Sequence, residues 1–261
     1  MRTRLIEPST EQILRFCAAA PVERVFLEDV ARRAQGRFAG LVGADRELSA
    51  LCHLGSNLVP SGRGCDAFAS LAAKSAARMI IGESGAVTDL WEAARRKLPR
   101  PRLDRPGQPV YALSVAPESG DTGLRPATPA DLDLLLPSCA AAHHEELGVD
   151  PLRRDAEGFR WRTRMQIEEG RSWLWAEGGL ILFKAEASAW TPRAVQLQQV
   201  WTDPPARRRG YAGRALRDLI RLLLRETPTV CLFVRTENAP AIRLYESIGM
   251  RHVLDYRSVL L

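Results

Sequence analysis

Apolar side chains recur along the chain with two different periods. In residues 210–225 the spacing i, i+3, i+4, i+7 is typical of one face of an amphipathic helix and involves Leu216, Leu219, Ile220 and Leu223. Shorter apolar runs bounded by Gly, Pro or polar residues predict buried strands over 180–189, 194–202 and 229–234. The second half of the chain therefore alternates strands with helices.

The first half predicts a similar alternation. Ser9 and Gln12 form a capping box ahead of an apolar stretch, so a helix is expected to begin there. The elements expected after it are a helix over 21–33, strands over 38–42, 48–54 and 57–60, a helix over 67–77, a strand over 79–81, a helix over 87–96 and a strand over 110–115.

The predicted order in the second half is comparable. Its expected elements are a strand over 124–126, a helix from Pro129, a helix over 159–167, a hairpin of 173–175 with 180–189, a strand over 194–202, helices over 210–225 and 240–247 on either side of the strand 229–234, and two short strands near 252–253 and 257–260. Both halves contain three strands, a loop, a helix, a strand, a helix and a strand. This shared order predicts an internal duplication.

Prolines and glycines interrupt the pattern between about residues 98 and 129. The prolines of this stretch are Pro99, Pro101, Pro106, Pro109, Pro117, Pro126 and Pro129. Because proline lacks a backbone donor, no long regular element is expected to cross the stretch. We therefore predict an N-terminal domain over 1–115, a linker over 116–123 and a C-terminal domain over 124–261.

Composition narrows the class of protein without identifying it. The 261 residues are 46% hydrophobic and 26% charged, as in globular domains, and the formal net charge is +6. No apolar run is long enough to span a membrane, and the N-terminus lacks the pattern of a signal peptide. Five scattered cysteines without a CxxC pattern favour free thiols, no metal site and a cytoplasmic location.

Candidate chemistry concentrates in residues 200–213. A predicted strand ends at Pro204, three consecutive arginines follow, and Gly210 stands at the start of the amphipathic helix. Backbone amides and the dipole at a helix start bind anions, and guanidinium groups add charged hydrogen bonds. A pyrophosphate is the expected ligand, although the P-loop and GxGxxG patterns are both absent.

This segment resembles the acetyl-CoA site of the GCN5-related N-acetyltransferases. The family pattern R/Q-x-x-G-x-G/A is matched by Arg207, Gly210 and Ala212. A second family block, N-x-x-A-x-x-L-Y-x-x-x-G-F, is matched by Asn238, Ala241, Leu244, Tyr245 and Gly249, with Met250 in place of the final phenylalanine. The blocks occur in the family's order, so the resemblance extends over about residues 122–261.

The resemblance implies an α/β (α+β) fold in which a mixed sheet, splayed near its centre and flanked by helices, holds acetyl-CoA. A smaller, degenerate domain of the same kind would precede it, because its corresponding loop 61–66 lacks the first block and the second block does not follow. This first half also resembles an uncharacterised domain that accompanies such acetyltransferases in high-GC bacteria. The residues implied to hold acetyl-CoA are Val200, Trp201, Thr202, Arg207, Arg208, Arg209, Gly210, Tyr211, Ala212, Gly213, Asn238 and Tyr245.

The resemblance also implies catalytic roles. Tyr245 would face the sulfur, and a phenol can protonate a departing thiolate. Glu186 lies in mid-strand among apolar residues and is a candidate base for the acceptor amine, whereas Gln198 and Gln199 cannot serve as bases. Backbone donors near Trp201 would polarise the thioester carbonyl. The alternative for Tyr245 is that it is only a packed aromatic residue.

The acceptor is less well defined than the acetyl donor. Residues 143–146, His-His-Glu-Glu, follow the predicted helix at Pro129. The family usually places its acceptor-binding loop there, so these residues are candidates for binding the acceptor. The alternative is a polar loop without function. The predicted function is N-acetylation of a primary amine. An alternative is a CoA-binding regulatory or sensing module without turnover. No nucleic-acid or membrane partner is expected, and a homo-oligomer is left open.

Overall fold

The computed structural model describes residues 3–261. The predicted absence of a signal peptide depends partly on Met1 and Arg2, which lie outside the described residues. Six strands and four helices make up the first half. The strands are β1 Arg4–Ile6, β2 Phe38–Val42, β3 Leu48–Leu54, β4 Asn57–Gly62, β5 Met79–Glu83 and β6 Leu103–Leu113. The helices are α1 Thr10–Ala18, α2 Val25–Arg32, α3 Ala69–Ala72 and α4 Ser84–Ala94.

The second half contains the same numbers of strands and helices. Its strands are β7 Arg125–Pro126, β8 Ser172–Glu177, β9 Leu180–Trp190, β10 Val195–Trp201, β11 Val230–Phe233 and β12 Arg251–Leu260. Its helices are α5 Leu132–Leu147, α6 Pro151–Glu168, α7 Tyr211–Leu223 and α8 Ala239–Ser247. The predicted capping box of Ser9 and Gln12 is present at the start of α1.

Three expected elements differ from the structure. The alanine-rich helix predicted over 67–77 is reduced to a 3-10 turn, Cys65–Phe68, and the four residues of α3. The two short strands predicted near the C-terminus are one strand, β12, which pairs with β6 along its length and also with β5 over residues 256–260. The proline-rich stretch is crossed by β6, contrary to expectation. The pairing of β6 with β12 contains a bulge, because Gln108 lies opposite Tyr256 and Arg105 lies opposite Ser258. Pro106 and Gly107, which lie between them, are therefore outside the hydrogen-bonded ladder.

All twelve strands form one mixed sheet. Its strand order is β1-β2-β3-β4-β5-β12-β6-β11-β10-β9-β8-β7, so β12 of the second half lies beside β5, and β6 lies between β12 and β11. The last strand of the first half, β6, thus pairs with strands of the second half, and the last strand of the second half, β12, pairs with β5 of the first half. The predicted boundary at 116–123 stays a prediction, but β6 is built into the second half's part of the sheet.

Two strand pairs in the sheet are parallel, and they occupy equivalent places in the two halves. In the first half β4 pairs with β5 at Asn57 with Met79 and Leu58 with Ile80. In the second half β10 pairs with β11 at Val195 with Val230 and Gln196 with Cys231. Each pair has only two registered positions before the strands separate. The expected mixed, splayed sheet and the two similar halves are confirmed.

Helices cover both faces of the sheet in the second half. Trp173 and Trp175 of β8 pack with the apolar face of α7, whereas Leu174 between them packs with α5. Because successive side chains of a strand point to opposite faces, α5 and α7 lie on opposite sides of the sheet. The predicted apolar residues of α7 are all buried, namely Leu216, Leu219, Ile220 and Leu223.

The segment predicted as a linker is attached to α7. Asp218 accepts hydrogen bonds from the backbone amides of Gly120 and Thr122 at 2.7 and 2.9 Å. Arg214 donates to the carbonyl of Gly120 at 2.8 Å, and Arg221 donates to that of Pro117 at 2.8 Å. Gly120 is required there, since an added Cβ would lie 2.0 Å from the Arg214 carbonyl oxygen.

A buried ion pair joins the two halves beside α2. Arg171 donates to both carboxylate oxygens of Asp29 at 3.0 and 2.8 Å, and the two side chains are 12% and 6% exposed. Glu169 accepts from Arg33 at 2.5 Å next to this pair. Removing one member of a buried ion pair leaves the other charge poorly solvated, which is more costly than losing an exposed pair.

We expect Arg171→Met to lower the free energy of unfolding by about 3 kcal/mol, because Asp29 would remain buried without its bidentate partner. Urea denaturation followed by far-UV circular dichroism measures the change. Arg15→Met is the matched control, since Arg15 pairs with Glu11 in the open with 58% and 81% of the two side chains exposed, and it should change stability by less than about 0.5 kcal/mol. Equal losses in the two variants would contradict a special role for the Arg171–Asp29 pair.

Candidate functional site

A cleft opens where β10 and β11 separate. Beyond the pair Gln196 and Cys231, β10 continues to Trp201 without pairing with β11, and a cleft of about 150 Å³ lies between the strands. Main-chain groups along the two facing edges are therefore not used in a ladder between these strands. The cleft is lined by Gln108, Ala142, Glu145, Glu146, Leu197, Gln198, Gln199, Val200, Trp201, Leu232, Phe233, Val234, Arg235, Asn238 and Tyr245.

A bulge shapes the β10 side of the cleft. Between Gln198 and Trp201 the pairing with β9 is shifted, and Gln199 has a left-handed φ of 52°. A bulge leaves one residue out of the ladder and turns neighbouring groups in a new direction. Gln199 and Val200 accordingly face the cleft, at the place where backbone donors were predicted to act.

The arginine-rich loop ends at the start of α7 as predicted. Gly210 is the N-cap residue, has φ of 81°, and supplies no side chain to cap the helix. A Cβ added to Gly210 would meet nothing within 4 Å, so the space in front of the first turn is open. Arg208 also has a positive φ of 62°, and Arg208 and Arg209 are exposed. This geometry suits an anion bound by helix-start amides and mobile guanidinium groups.

Arg207 is held by hydrogen bonds to Thr202 and to Glu145. Arg207 donates to the Thr202 carbonyl at 3.0 Å and to both oxygens of Glu145 at 2.7 and 2.9 Å. The indole of Trp201 donates to the same carboxylate at 3.2 Å. Glu145 therefore links the end of α5 to the end of β10 and to the loop.

Residues at the start of α7 differ in whether they pack against the protein or border open space. Tyr211 packs edge-on against Trp175, with 5.1 Å between ring centroids. Gly213 allows α7 to approach α8, because an added Cβ would lie 3.3 Å from a methyl group of Leu244. Tyr211, Ala212 and Gly213 thus position the helix against the core and α8, whereas Gly210 borders open space.

The second motif places two residues on the opposite wall of the cleft. Asn238 caps α8 by accepting a hydrogen bond from the Ala241 amide at 3.3 Å. Tyr245 lines the cleft further along the helix, and its side chain is 6% exposed. Burial, with a smaller contribution from the charge of Glu146, raises the pKa of the Tyr245 hydroxyl above its usual value. The phenol is therefore protonated at neutral pH.

Glu186 lies behind the cleft wall and does not line the cleft. Its Oε1 accepts from Lys184 Nζ at 2.5 Å and from Cys139 Sγ at 3.4 Å, and its Oε2 accepts from Gln198 Nε2 at 3.4 Å. Lys184 is fully buried, and although burial alone would lower its pKa, Glu186 and Cys139 raise it. The predicted role of Glu186 as a base stays a prediction, and its carboxylate is paired with Lys184 behind Gln198.

Residues 143–146 are not a loop. They form the last turns of α5, which begins at Leu132 and continues through residue 147 despite Pro137. Glu145 and Glu146 face the cleft, whereas His143 packs edge-on against Phe159. The helix was expected to be shorter because the polar run 143–146 interrupts its apolar pattern, but polar residues at a helix end are tolerated when they reach solvent.

Sequence reasoning missed the cleft residues Gln108 and Arg235. Gln108 lies on β6, which the sequence assigned to the first half, and it accepts a hydrogen bond from Ser258 at 2.5 Å. Arg235 is the second residue after β11 and belongs to neither motif. The only local signal for Arg235 was its place after a buried strand that precedes the second motif.

The first half does not reproduce the helix start. Its loop leads from Gly62 and Gly64 into the 3-10 turn and the four residues of α3. A helix of one turn has few aligned peptide dipoles and free amides, so it offers little to an anion. The second half alone therefore presents a glycine-bordered helix of several turns beside a separated parallel pair.

Other functional features are few in the part of the chain that the structure describes. Among residues 3–261, no helix is both long enough and apolar enough to cross a membrane. In the same range no three His, Cys, Asp or Glu side chains are grouped so as to hold a metal ion. All five cysteines are free and buried.

Two family models match separate parts of the chain. Residues 36–135 match a domain of unknown function (DUF4081), and residues 182–259 match the FR47-like protein family. The first match spans β2 to α5 and thus includes β6. The second begins in β9 and contains both sequence motifs and every predicted acetyl-CoA-binding residue.

A curated relative matches part of the chain at higher identity. The mycothiol acetyltransferase of Brachybacterium faecium is 36% identical in an alignment of 144 residues, and the match covers 44% of this chain and 44% of the relative. The chain thus spans less than half of the length of that relative.

Solved structures share the fold over nearly the whole chain. A GNAT-family acetyltransferase from Colwellia psychrerythraea aligns over 100% of both chains with a TM-score of 0.61 and 11% identity. The GCN5-related N-acetyltransferase from Sphaerobacter thermophilus covers 98% of this chain and 94% of its own, with a TM-score of 0.59 and 18% identity. A tandem GNAT protein from the clavulanic acid biosynthesis pathway covers 98% of both, with a TM-score of 0.57 and 11% identity. Residues 182–259 are therefore similar to the FR47-like protein family, and the chain shares the fold of solved GCN5-related N-acetyltransferases.

Proposed function

We propose that the second half binds acetyl-CoA in the cleft between β10 and β11 and transfers the acetyl group to a primary amine. The observation that carries the proposal is the separated parallel pair beside a helix that begins at an open glycine. The relative named mycothiol acetyltransferase supports the same class of reaction.

The residues at the cleft suit the parts of acetyl-CoA. The amides from Arg208 to Gly213 and the exposed guanidinium groups would hold the pyrophosphate. The free edge of β10 at Val200, Trp201 and Thr202 would pair with the amide groups of the pantetheine arm. Asn238 would contact the arm from the opposite wall, and Arg207 would stay close to the phosphates while it is held by Glu145.

Tyr245 is suited to act as the general acid. Acetyl-CoA supplies an activated thioester whose departing thiol, like that of cysteine, has a pKa of about 8.5. The Tyr245 hydroxyl lines the cleft and remains protonated because burial raises its pKa. It can therefore donate a proton to the sulfur when the amine nitrogen bonds to the acetyl carbon and the carbon–sulfur bond breaks, and the proton lost by the amine would pass to water. Backbone donors of the bulge at Gln199 would meanwhile stabilise the carbonyl oxygen.

The cysteines support a reducing, cytoplasmic location for this reaction. None of the five forms a disulfide, and burial raises the pKa of Cys231 to about 12, so its thiol stays protonated and unreactive. Such thiols persist where the medium is reducing.

Calorimetric titration with CoA tests binding, and release of free thiol from acetyl-CoA with a panel of primary amines tests transfer. We expect saturable binding below about 1 mM and thiol release with at least one amine. Absence of binding would refute the proposed site. Tight binding without release on any amine would instead favour a CoA-binding regulatory module.

Gly210→Val should weaken CoA binding tenfold or more, by about 1.4 kcal/mol. A branched side chain would occupy the open space in front of the helix amides and is strained at a φ of 81°. Gly170→Val is the matched control, since Gly170 has φ of 68°, is also free of neighbours within 4 Å and lies between α6 and β8. Calorimetry should show normal CoA affinity for the control, and equal affinity in both variants would contradict the assignment of the phosphate site.

Tyr245→Phe should leave CoA affinity nearly unchanged and lower kcat by about 10²–10⁴, because only the proton donor is removed. Tyr111→Phe removes the hydroxyl of another buried tyrosine residue, one that donates to Glu246 and does not line the cleft. The control should retain kcat within about twofold, because the hydroxyl that it removes is not the proposed proton donor. A Tyr245→Phe enzyme with wild-type kcat on an accepted amine would reduce Tyr245 to a packing residue.

A further inference from the structure

A pair of arginines borders the cleft on the β6 side. Arg235 lines the cleft and lies between two residues fixed to β6, since the Val234 amide donates to the Pro109 carbonyl at 3.1 Å and the Thr236 hydroxyl donates to the Gly107 carbonyl at 2.9 Å. Arg105 lies two residues before Gly107 on the same strand. The position of β6 next to β11 therefore brings the two guanidinium groups into one region.

Neither arginine has a carboxylate partner. Arg105 donates to the backbone carbonyl of Glu146 at 3.0 Å, and no ion pair within residues 3–261 includes Arg105 or Arg235. Burial and then the charge of Arg235 lower the pKa of Arg105, while Glu146 and Glu237 act in the opposite direction. Two like charges that form no ion pair repel each other, and an anion bound between them would relieve this repulsion.

A carboxylate stands beside this arginine pair. Glu146 lines the cleft, and its Oε2 accepts from Gln199 Nε2 at 2.6 Å. Among residues 3–261 its Oε1 accepts no hydrogen bond within the protein, so this oxygen can accept one from a ligand. Glu146 lies in the last turn of α5, which packs on the face of the sheet opposite to α7 and the predicted phosphate site.

Resting on the proposed function, we propose that the acceptor is an α-amino acid, with its ammonium group on Glu146 and its carboxylate between Arg105 and Arg235. The backbone carbonyl of Glu146 is in direct contact with Arg105, so the anionic and cationic subsites are neighbours. Neighbouring subsites match an amine and a carboxylate that are attached to one carbon atom. Guanidinium groups bind carboxylates through paired, charge-assisted hydrogen bonds.

The proposal gives β6 a role in the second half's chemistry. β6 supplies Gln108 to the cleft lining and Arg105 to the backbone carbonyl of Glu146 beside it, although β6 precedes residues 122–261. The DUF4081 match, residues 36–135, contains this strand. The first half would thus take part in selecting the acceptor without binding acetyl-CoA itself.

The test compares amino acids with the amines that lack only the carboxylate. Thiol release from acetyl-CoA is measured with L-phenylalanine against phenethylamine, L-leucine against isoamylamine and L-lysine against cadaverine. We expect kcat/KM to favour at least one amino acid by about tenfold or more over its amine. Arg235→Gln and Arg105→Gln should each abolish this preference by raising KM for the amino acid and leaving KM for the amine unchanged.

Arg225→Gln is the matched control, because Arg225 is exposed just beyond the end of α7 and away from the cleft. It should keep the preference intact. A binding readout complements the kinetics, with calorimetric titration of the preferred amino acid into the protein saturated with CoA. Arg235→Gln should weaken that binding by about tenfold and leave CoA affinity unchanged.

The outcomes separate this inference from the proposed function. Amines that react as well as the amino acids, or an Arg235→Gln variant that affects both sets alike, would overturn the acceptor assignment and leave acetyl transfer in place. Loss of CoA affinity in Arg235→Gln would assign Arg235 to the donor site and also overturn the inference. No thiol release with any member of either set would refute the transfer and the inference together.

Discussion

The hydrogen bonding that inserts β6 between β11 and β12 is the constraint on which the rest of the structure depends. β6 is antiparallel to both neighbours, and β12 continues the sheet to β5 of the first half. Each half therefore completes its sheet with a strand from the other, and neither half can separate without breaking a ladder. The same insertion carries Arg105 and Gln108 to the edge of the cleft, so one pairing choice joins the halves and shapes the site.

Both halves contain a parallel pair that separates, but the separation has different consequences. In the first half α4 begins directly after β5, where both oxygens of Glu83 accept from the amides of Gly85 and Ala86 at 2.8 Å, and Val87 is fully buried. In the second half five residues, 234–238, lie between β11 and α8, and they leave the cleft open. The longer connection before α8 and the longer helix α7 thus leave a cleft in the second half, whereas the equivalent place in the first half is a packed core.

The charged residues around the cleft differ in whether a partner within the protein neutralises them. Glu145 is neutralised by Arg207 at the end of β10, and Glu186 is neutralised by Lys184 behind the wall. The second of these pairs is buried, so it costs desolvation energy and is stable only when its remaining hydrogen bonds are satisfied. Glu146 and Arg235 differ from both pairs, because they line the open space and have capacity left for a ligand. These two charges are therefore the ones best placed to select an acceptor.

The sequence by itself determined the local elements of the site. The helix α7 with Gly210 at its start, and Asn238 and Tyr245 on α8, follow from short-range spacing, since capping and helical periodicity depend on residues a few positions apart. Only the tertiary structure decided that β6 crosses into the second half and that Glu146 and Arg235 meet at one cleft. Several apolar strands compete as partners for β6, and that choice depends on contacts between residues far apart in the chain, which no local pattern records.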